Sequence, residues 1–170
     1  VDKEVTVKCR VGVDQQNPDV TLPKFLEHIS NAGVTRVIIH ARKAILSGLS
    51  PKQNRNVPPL NYELVYKMKE LFPDLHLSLN GGVQSIQQAK SHLENGIDGV
   101  MIGRAAYQKP GEVLIDVDKY IFNDETSELT EKDVVKQMIP YIENQCKDGG
   151  KVSKITRHML GLFSGQPGAK

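Results

Sequence analysis

Apolar and polar positions along the 170 residues change period in a fixed order, from two to about 3.6 and back. Val5-Thr6-Val7-Lys8-Cys9-Arg10-Val11 is β-branched and alternating and stops at Gly12, which predicts a strand. Leu22, Phe25, Leu26 and Ile29 follow at helical spacing, with Thr21 as the expected N-cap and Gly33 as the stop. Thr35 to His40 predicts a second strand that continues through Ala41 to Arg42. Ser47-Gly48, Pro51, Asn54 and Pro58-Pro59 are too many breakers for a helix and predict a long connection, the kind of loop that carries function. Leu64, Val65, Met68, Leu71 and Phe72 form a helical stripe ended by Pro73-Asp74, and Leu75 to Leu79 is the third predicted strand. Ser85 with Gln88 resembles a capping box for a helix carrying Ile86, Ala89 and Leu93, with Gly96 at its end. Ile97 to Ile102 is the fourth strand, and Pro110 opens a helix with Val113, Leu114, Val117 and Ile121 on one side.

Strand then helix, repeated four times, predicts an α/β fold with a parallel sheet under helices. A complete (β/α)8 barrel needs roughly 250 residues, so the four units fit the second half of a TIM barrel, here residues 1–122. From residue 123 the pattern is helical only, with Thr130 as a cap, Val135, Met138, Ile139 and Ile142 as a stripe, and then Ile155, Met159 and Leu162. Residues 123–170 are therefore expected to begin an all-helical region, with Pro140 bending its first helix. A half barrel is expected to leave two unpaired strand edges and an uncovered apolar face, which favours self-association.

Composition adds little to this picture, but charge placement adds more. Net charge is +2, and 39% of residues are hydrophobic, as in ordinary globular domains. No apolar run reaches the ~20 residues of a membrane span, and Val1-Asp2-Lys3-Glu4 does not read as a signal peptide. Cys9 and Cys146 show neither disulfide nor metal spacing, so no metal site and a reducing, cytoplasmic compartment are expected. Between His28 and Tyr62 no acid occurs, while Arg36, Arg42, Lys43, Lys52 and Arg55 are basic. Gly149 to Lys170 repeats this with Lys151, Lys154, Arg157 and His158. Solvated surface is the ordinary reading of such stretches, and a polyanion such as RNA is the functional one.

Candidate chemistry gathers at the strand ends. Asn80-Gly81-Gly82 and Gly103-Arg104 close the third and fourth strands where each turns toward a helix. Glycine admits close approach, helix N-termini offer unpaired N–H groups, and the last two βα loops of a TIM barrel are a preferred phosphate site. Period two places Thr6, Lys8 and Arg10 on one face and groups Ile38, His40 and Arg42 on another strand, so four basic groups point to the barrel mouth. They suit an anion or an electron-rich ring. The same alternation turns Cys9 toward the helix layer, where it acts as a small apolar residue rather than a nucleophile.

Six runs carry a resemblance that covers nearly the whole chain. They are Val5-Thr6-Val7-Lys8-Cys9-Arg10-Val11-Gly12, Ile38-Ile39-His40-Ala41-Arg42-Lys43-Ala44, Leu46-Ser47-Gly48-Leu49-Ser50-Pro51, Asn54-Arg55 with Pro58-Pro59-Leu60, Leu79-Asn80-Gly81-Gly82, and Val100-Met101-Ile102-Gly103-Arg104-Ala105-Ala106-Tyr107. Together they resemble the tRNA-dihydrouridine synthases, and the Ser47–Arg55 loop resembles the A subfamily.

The resemblance implies an FMN oxidoreductase that uses NADPH to reduce the uridine 5,6 double bond in the tRNA D-loop. It assigns FMN to Lys8, His40, Asn80, Gly81, Gly82, Gly103 and Arg104, and tRNA to Arg10, Arg42, Lys43, Arg55 and Arg157. Arg10 is expected to face the uracil, which has to be extruded from folded RNA. The family's proton-donor cysteine lies in an Asn-x-Gly-Cys type motif that these residues do not contain. It is expected upstream with the first four strands, and the chain alone is expected to be inactive. Two other functions fit parts of the pattern: an FMN-dependent barrel reductase of a small molecule, which needs no basic loop, and a noncatalytic RNA-binding half-barrel module.

Overall fold

Residues 3–125 and 129–169 are described in a computed structural model of the chain. Its element order is β1 (Thr6–Arg10), α1 (Pro18–Asn31), β2 (Arg36–His40), a 3₁₀ turn (Gln53–Arg55), α2 (Tyr62–Leu71), β3 (His76–Asn80), α3 (Ile86–Glu94), β4 (Gly99–Met101), α4 (Arg104–Gln108), α5 (Pro110–Leu114), α6 (Val117–Ile121), α7 (Glu131–Lys147) and α8 (Val152–Thr156). The four strands form one sheet in the order β1-β2-β3-β4, and every pairing is parallel. This is the predicted α/β architecture, consistent with part of a TIM barrel. By contacts the chain divides into two compact units, Val1–Val83 with Ser91–Ile102 and Gln84–Lys90 with Gly103–Lys170.

In the first unit, alternation decides which face of the sheet is covered. Val37 and Ile39 of β2 and Leu77 and Leu79 of β3 are fully buried, as are Leu26 of α1 and Val65 and Met68 of α2. Burying each such side chain contributes about 1.5–3 kcal/mol. The opposite face carries Lys8, Ile38, His40, Ser78 and Asn80, none of them buried. The face expected to be apolar and uncovered is therefore largely polar, because its positions toward the strand ends hold Lys8, His40, Ser78 and Asn80.

Several local boundaries differ from expectation. Helix α1 starts before Thr21: the Asn17 side chain accepts from the Asp19 N–H at 3.1 Å, Pro18 fits the first turn, and the Thr21 hydroxyl donates to the Asn17 carbonyl. Strand β2 stops at His40, where the Arg42 N–H turns back to the His40 carbonyl at 2.7 Å. Arg42 therefore does not continue the alternation of Ile38 and His40. The breaker-rich connection includes one short 3₁₀ turn, and the single helix expected from Pro110 is two short ones, preceded by α4.

The cap signals were readable. Gln88 N–H donates to Ser85 Oγ, the cap bond expected there, whereas Gln88 Oε1 accepts from the Gln84 N–H rather than from that of Ser85. Thr130 and Asp133 form a complete capping box, and α7 runs uninterrupted through Pro140. The stripe Val135, Met138, Ile139 and Ile142 lies on α7, which buries none of its residues. Ile155 falls in α8, whereas Met159 and Leu162 lie in turns beyond it. Among the described residues no helix is long and apolar enough to cross a membrane.

Candidate functional site

Parallel register lines up Arg10, His40, Asn80 and Met101 across the four strands, at their C-terminal ends. Lys8 lies one pleat repeat back on the same face, and its Nζ donates to Asn80 Oδ1 at 3.0 Å. The Asn80 amide then donates to the Met101 carbonyl at 2.8 Å. A hydrogen-bonded line thus runs from β1 to β4 through one asparagine, which fixes both its oxygen and its nitrogen. An ammonium has three donors, and one of those on Lys8 is used here. Burial, then the nearby Arg10 charge, pushes the Lys8 ammonium below its ordinary value.

His40 and the glycine turn meet directly. A Cβ on Gly81 would sit 2.6 Å from His40 Cδ2, and one on Gly82 would sit 2.5 Å from Leu60 Cδ1 and 2.7 Å from the Tyr62 hydroxyl. Both glycines also have left-handed backbones, at φ 114° and 75°. Backbone conformation and the protein's own side chains are thus sufficient to require glycine at both positions. Tyr62 Oη donates to the Gly81 carbonyl at 2.7 Å. Sequence reasoning missed Tyr62, whose only signal was its place at a helix start just after Pro58-Pro59-Leu60.

The basic residues of the long connection act largely on the connection itself. Arg10 Nη1 donates to the carbonyls of Lys43 and Asn54, at 2.8 and 3.0 Å. Arg42 Nη1 donates to those of Asn56 and Pro58. Asn54 pairs with the Ile45 backbone through both side-chain atoms, at 2.8 and 2.7 Å. Arg55 is exposed on the 3₁₀ turn, and Lys43 is half-buried. Burial, then the charges of Arg42 and Arg55, lowers the Arg10 guanidinium from its ordinary value, so three cations converge at this loop.

Gly103 and Arg104 belong to the second unit and open α4. A Cβ at Gly103 would meet nothing within 4 Å, so neighbouring protein atoms do not demand glycine there. Arg157, also in this unit, follows α8, and its Nε donates to His158 Nε2 at 3.1 Å, while His158 Nδ1 lies 2.9 Å from the Tyr107 hydroxyl. In the first unit, burial pushes the Cys9 thiol up to about 11, as expected of a packed, protonated cysteine. Among the described residues no group of three or more His, Cys, Asp or Glu is placed to hold a metal ion.

The model of the dihydrouridine synthase (Dus) family matches residues 1–170. The chain belongs to the dihydrouridine synthase family. Among curated relatives it is 51% identical to the tRNA-dihydrouridine(20/20a) synthase of Salmonella typhimurium over 98% of this chain and 50% of that protein. Identity is 46% to the protein of the same name in Shewanella oneidensis, over 100% and 50%, and 48% to that of Vibrio cholerae, over 100% and 52%. The chain spans about half the length of these relatives. Among solved structures, the RcsB response regulator of Salmonella typhimurium overlays at a TM-score of 0.34 and 12% identity, over 91% of this chain and 88% of that one, too low to inform the fold.

Proposed function

We propose that this chain is part of a tRNA-dihydrouridine synthase: it helps hold FMN, reduced by NADPH, over a uridine of the tRNA D-loop. The observation that carries the reading is the Lys8–Asn80–Met101 line at the strand ends, in a chain about half identical to proteins named for this activity. The donor set at the strand ends fits a flavin. Lys8 offers ammonium donors beyond the one bonded to Asn80, and His40 and Asn80 lie on the same face one pleat repeat further along, which suits the oxygen- and nitrogen-rich edge of a flavin ring.

When bound, FMN supplies the hydride chemistry. The chain's own residues bind and orient: Lys8 and His40 toward the ring or ribityl chain, with Asn80, Gly81 and Gly82 toward its phosphate end. Family resemblance assigns Gly103 and Arg104 to the phosphate. Arg10 and Arg42 bond carbonyls of the basic loop, and together with Lys43, Arg55, and Arg157 in the helical region after residue 122, they form the set assigned to tRNA. Cys9 is no proton donor on this reading, because its thiol is packed on the opposite face from Lys8.

The test uses the full-length protein that contains this chain, with FMN, NADPH and tRNA lacking dihydrouridine. Dihydrouridine is expected by mass spectrometry, and its absence would overturn the reading. Lys8→Met is expected to weaken FMN binding about tenfold or more, the scale of a hydrogen bond to a charged group.

A further inference from the structure

An aromatic cluster adjoins the Gly81–Gly82 turn, and the binding residues named above do not include it. Tyr62 is the first residue of α2, and its hydroxyl holds the Gly81 carbonyl at 2.7 Å. Its ring packs edge-on against His92 of α3, with centroids 4.6 Å apart and planes at 64°. His92 is only 8% exposed, and its Nδ1 lies 2.6 Å from the hydroxyl of Tyr66, one turn further along α2. Tyr62 is thus fixed at both ends, its ring by a buried imidazole with its own partner and its hydroxyl by the turn.

The turn has particular need of such a hold. Two consecutive glycines at positive φ have more alternative conformations to lose than any other pair of residues. The Gly81 carbonyl and the Gly82 N–H belong to one planar trans peptide and point in opposite directions. Bonding the carbonyl to Tyr62 therefore sets the direction of the Gly82 N–H, a main-chain donor two residues after Asn80. A tyrosine suits the task, since its ring has few torsions to freeze and its hydroxyl donates at the far end.

We propose that Tyr62 is a positioning residue for the cofactor-binding turn, with His92 and Tyr66 as its support: it orients the Gly81–Gly82 peptide toward the bound flavin without touching the flavin. This rests on the flavin reading above.

The experiment compares FMN affinity, by flavin fluorescence, and the visible spectrum of bound flavin in the full-length protein and two variants. Tyr62→Phe keeps the ring on His92 and removes only the bond to the Gly81 carbonyl. Asp98→Asn alters a carboxylate at the other end of the sheet, which accepts from the Leu77 N–H and pairs with Lys69, both at 2.8 Å. It serves as a matched loss of stability away from the turn. Tyr62→Phe is expected to weaken FMN about five- to tenfold and to shift the flavin spectrum, while Asp98→Asn lowers the melting temperature and leaves both unchanged. Equal affinity and spectrum in Tyr62→Phe and the unsubstituted protein would overturn the inference alone, and so would an equal loss in Asp98→Asn. Failure of the unsubstituted protein to bind FMN would overturn the flavin reading and this inference with it.

Discussion

Lys8 and Cys9 are adjacent in sequence but face opposite sides of β1, because a strand alternates its side chains. Burial drives the two groups in opposite directions on the pH scale: the Lys8 ammonium goes down and the Cys9 thiol goes up to about 11. Cys9 is therefore expected to resist iodoacetamide in the folded chain near neutral pH and to react readily in urea. Rapid modification without unfolding, mapped by peptide mass, would contradict its packed position. His92 supplies a pH dependence. Burial holds it below the ordinary imidazole value of 6.5, so below that pH the unfolded chain takes up a proton that the folded chain refuses. Its contribution to stability is present above pH 6.5 and is lost as pH falls from there toward the lowered folded value. The Asp98 carboxyl, raised by burial but lowered on balance by bonds from Lys69 and the Leu77 N–H, acts in a separate window below 3.8. Urea midpoints measured from pH 7 to 5 should fall, and His92→Gln should flatten that fall. An unchanged slope in the variant would remove His92 as its source.

At the scale of elements, the connection between β2 and α2 is a built structure rather than a slack loop. It is joined to the end of β1 by Ala44 N–H to the Gly12 carbonyl, Asp14 N–H to the Ala44 carbonyl and Leu46 N–H to Asp14 Oδ1, at 2.8, 2.7 and 2.7 Å. Asn54 ties its two arms, and Arg10 and Arg42 bond its carbonyls. Asn54→Ala leaves backbone groups of Ile45 without their partner, at a local cost of about 1–3 kcal/mol. Trypsin cleavage after Lys52 and Arg55 should then accelerate well beyond that of the rest of the chain. Unchanged cleavage would mean the loop is held by other contacts. The strands and the cap at Thr130 were legible because period and cap chemistry are local. The 3₁₀ turn and the end of β2 before Arg42 were not, because side-chain bonds across the fold, Arg10 to the Asn54 carbonyl and Arg42 to those of Asn56 and Pro58, accompany the local turns there.

At the scale of the whole molecule, the acid-free stretches around Arg55 and Arg157 sit on two different compact units. If both contact tRNA phosphates, Arg55→Ala and Arg157→Ala in the full-length protein should each reduce the slope of log affinity against log salt by about 0.7–0.9. A slope equal to that of the unsubstituted protein would return that arginine to ordinary solvated surface. The sequence by itself determined the α/β alternation, the parallel sheet, the shared face of Lys8, His40 and Asn80, and the family, because period-two and period-3.6 patterns and short motifs are written in consecutive residues. Only the tertiary structure decided that Asn80 links Lys8 to Met101, that Arg10 and Arg42 bond the loop, and that Tyr62, set against His92, grips the Gly81 carbonyl. Those partners lie from 14 to 72 residues apart along the chain, and which of the available donors reaches a given acceptor is fixed only when strand register and helix packing bring them together.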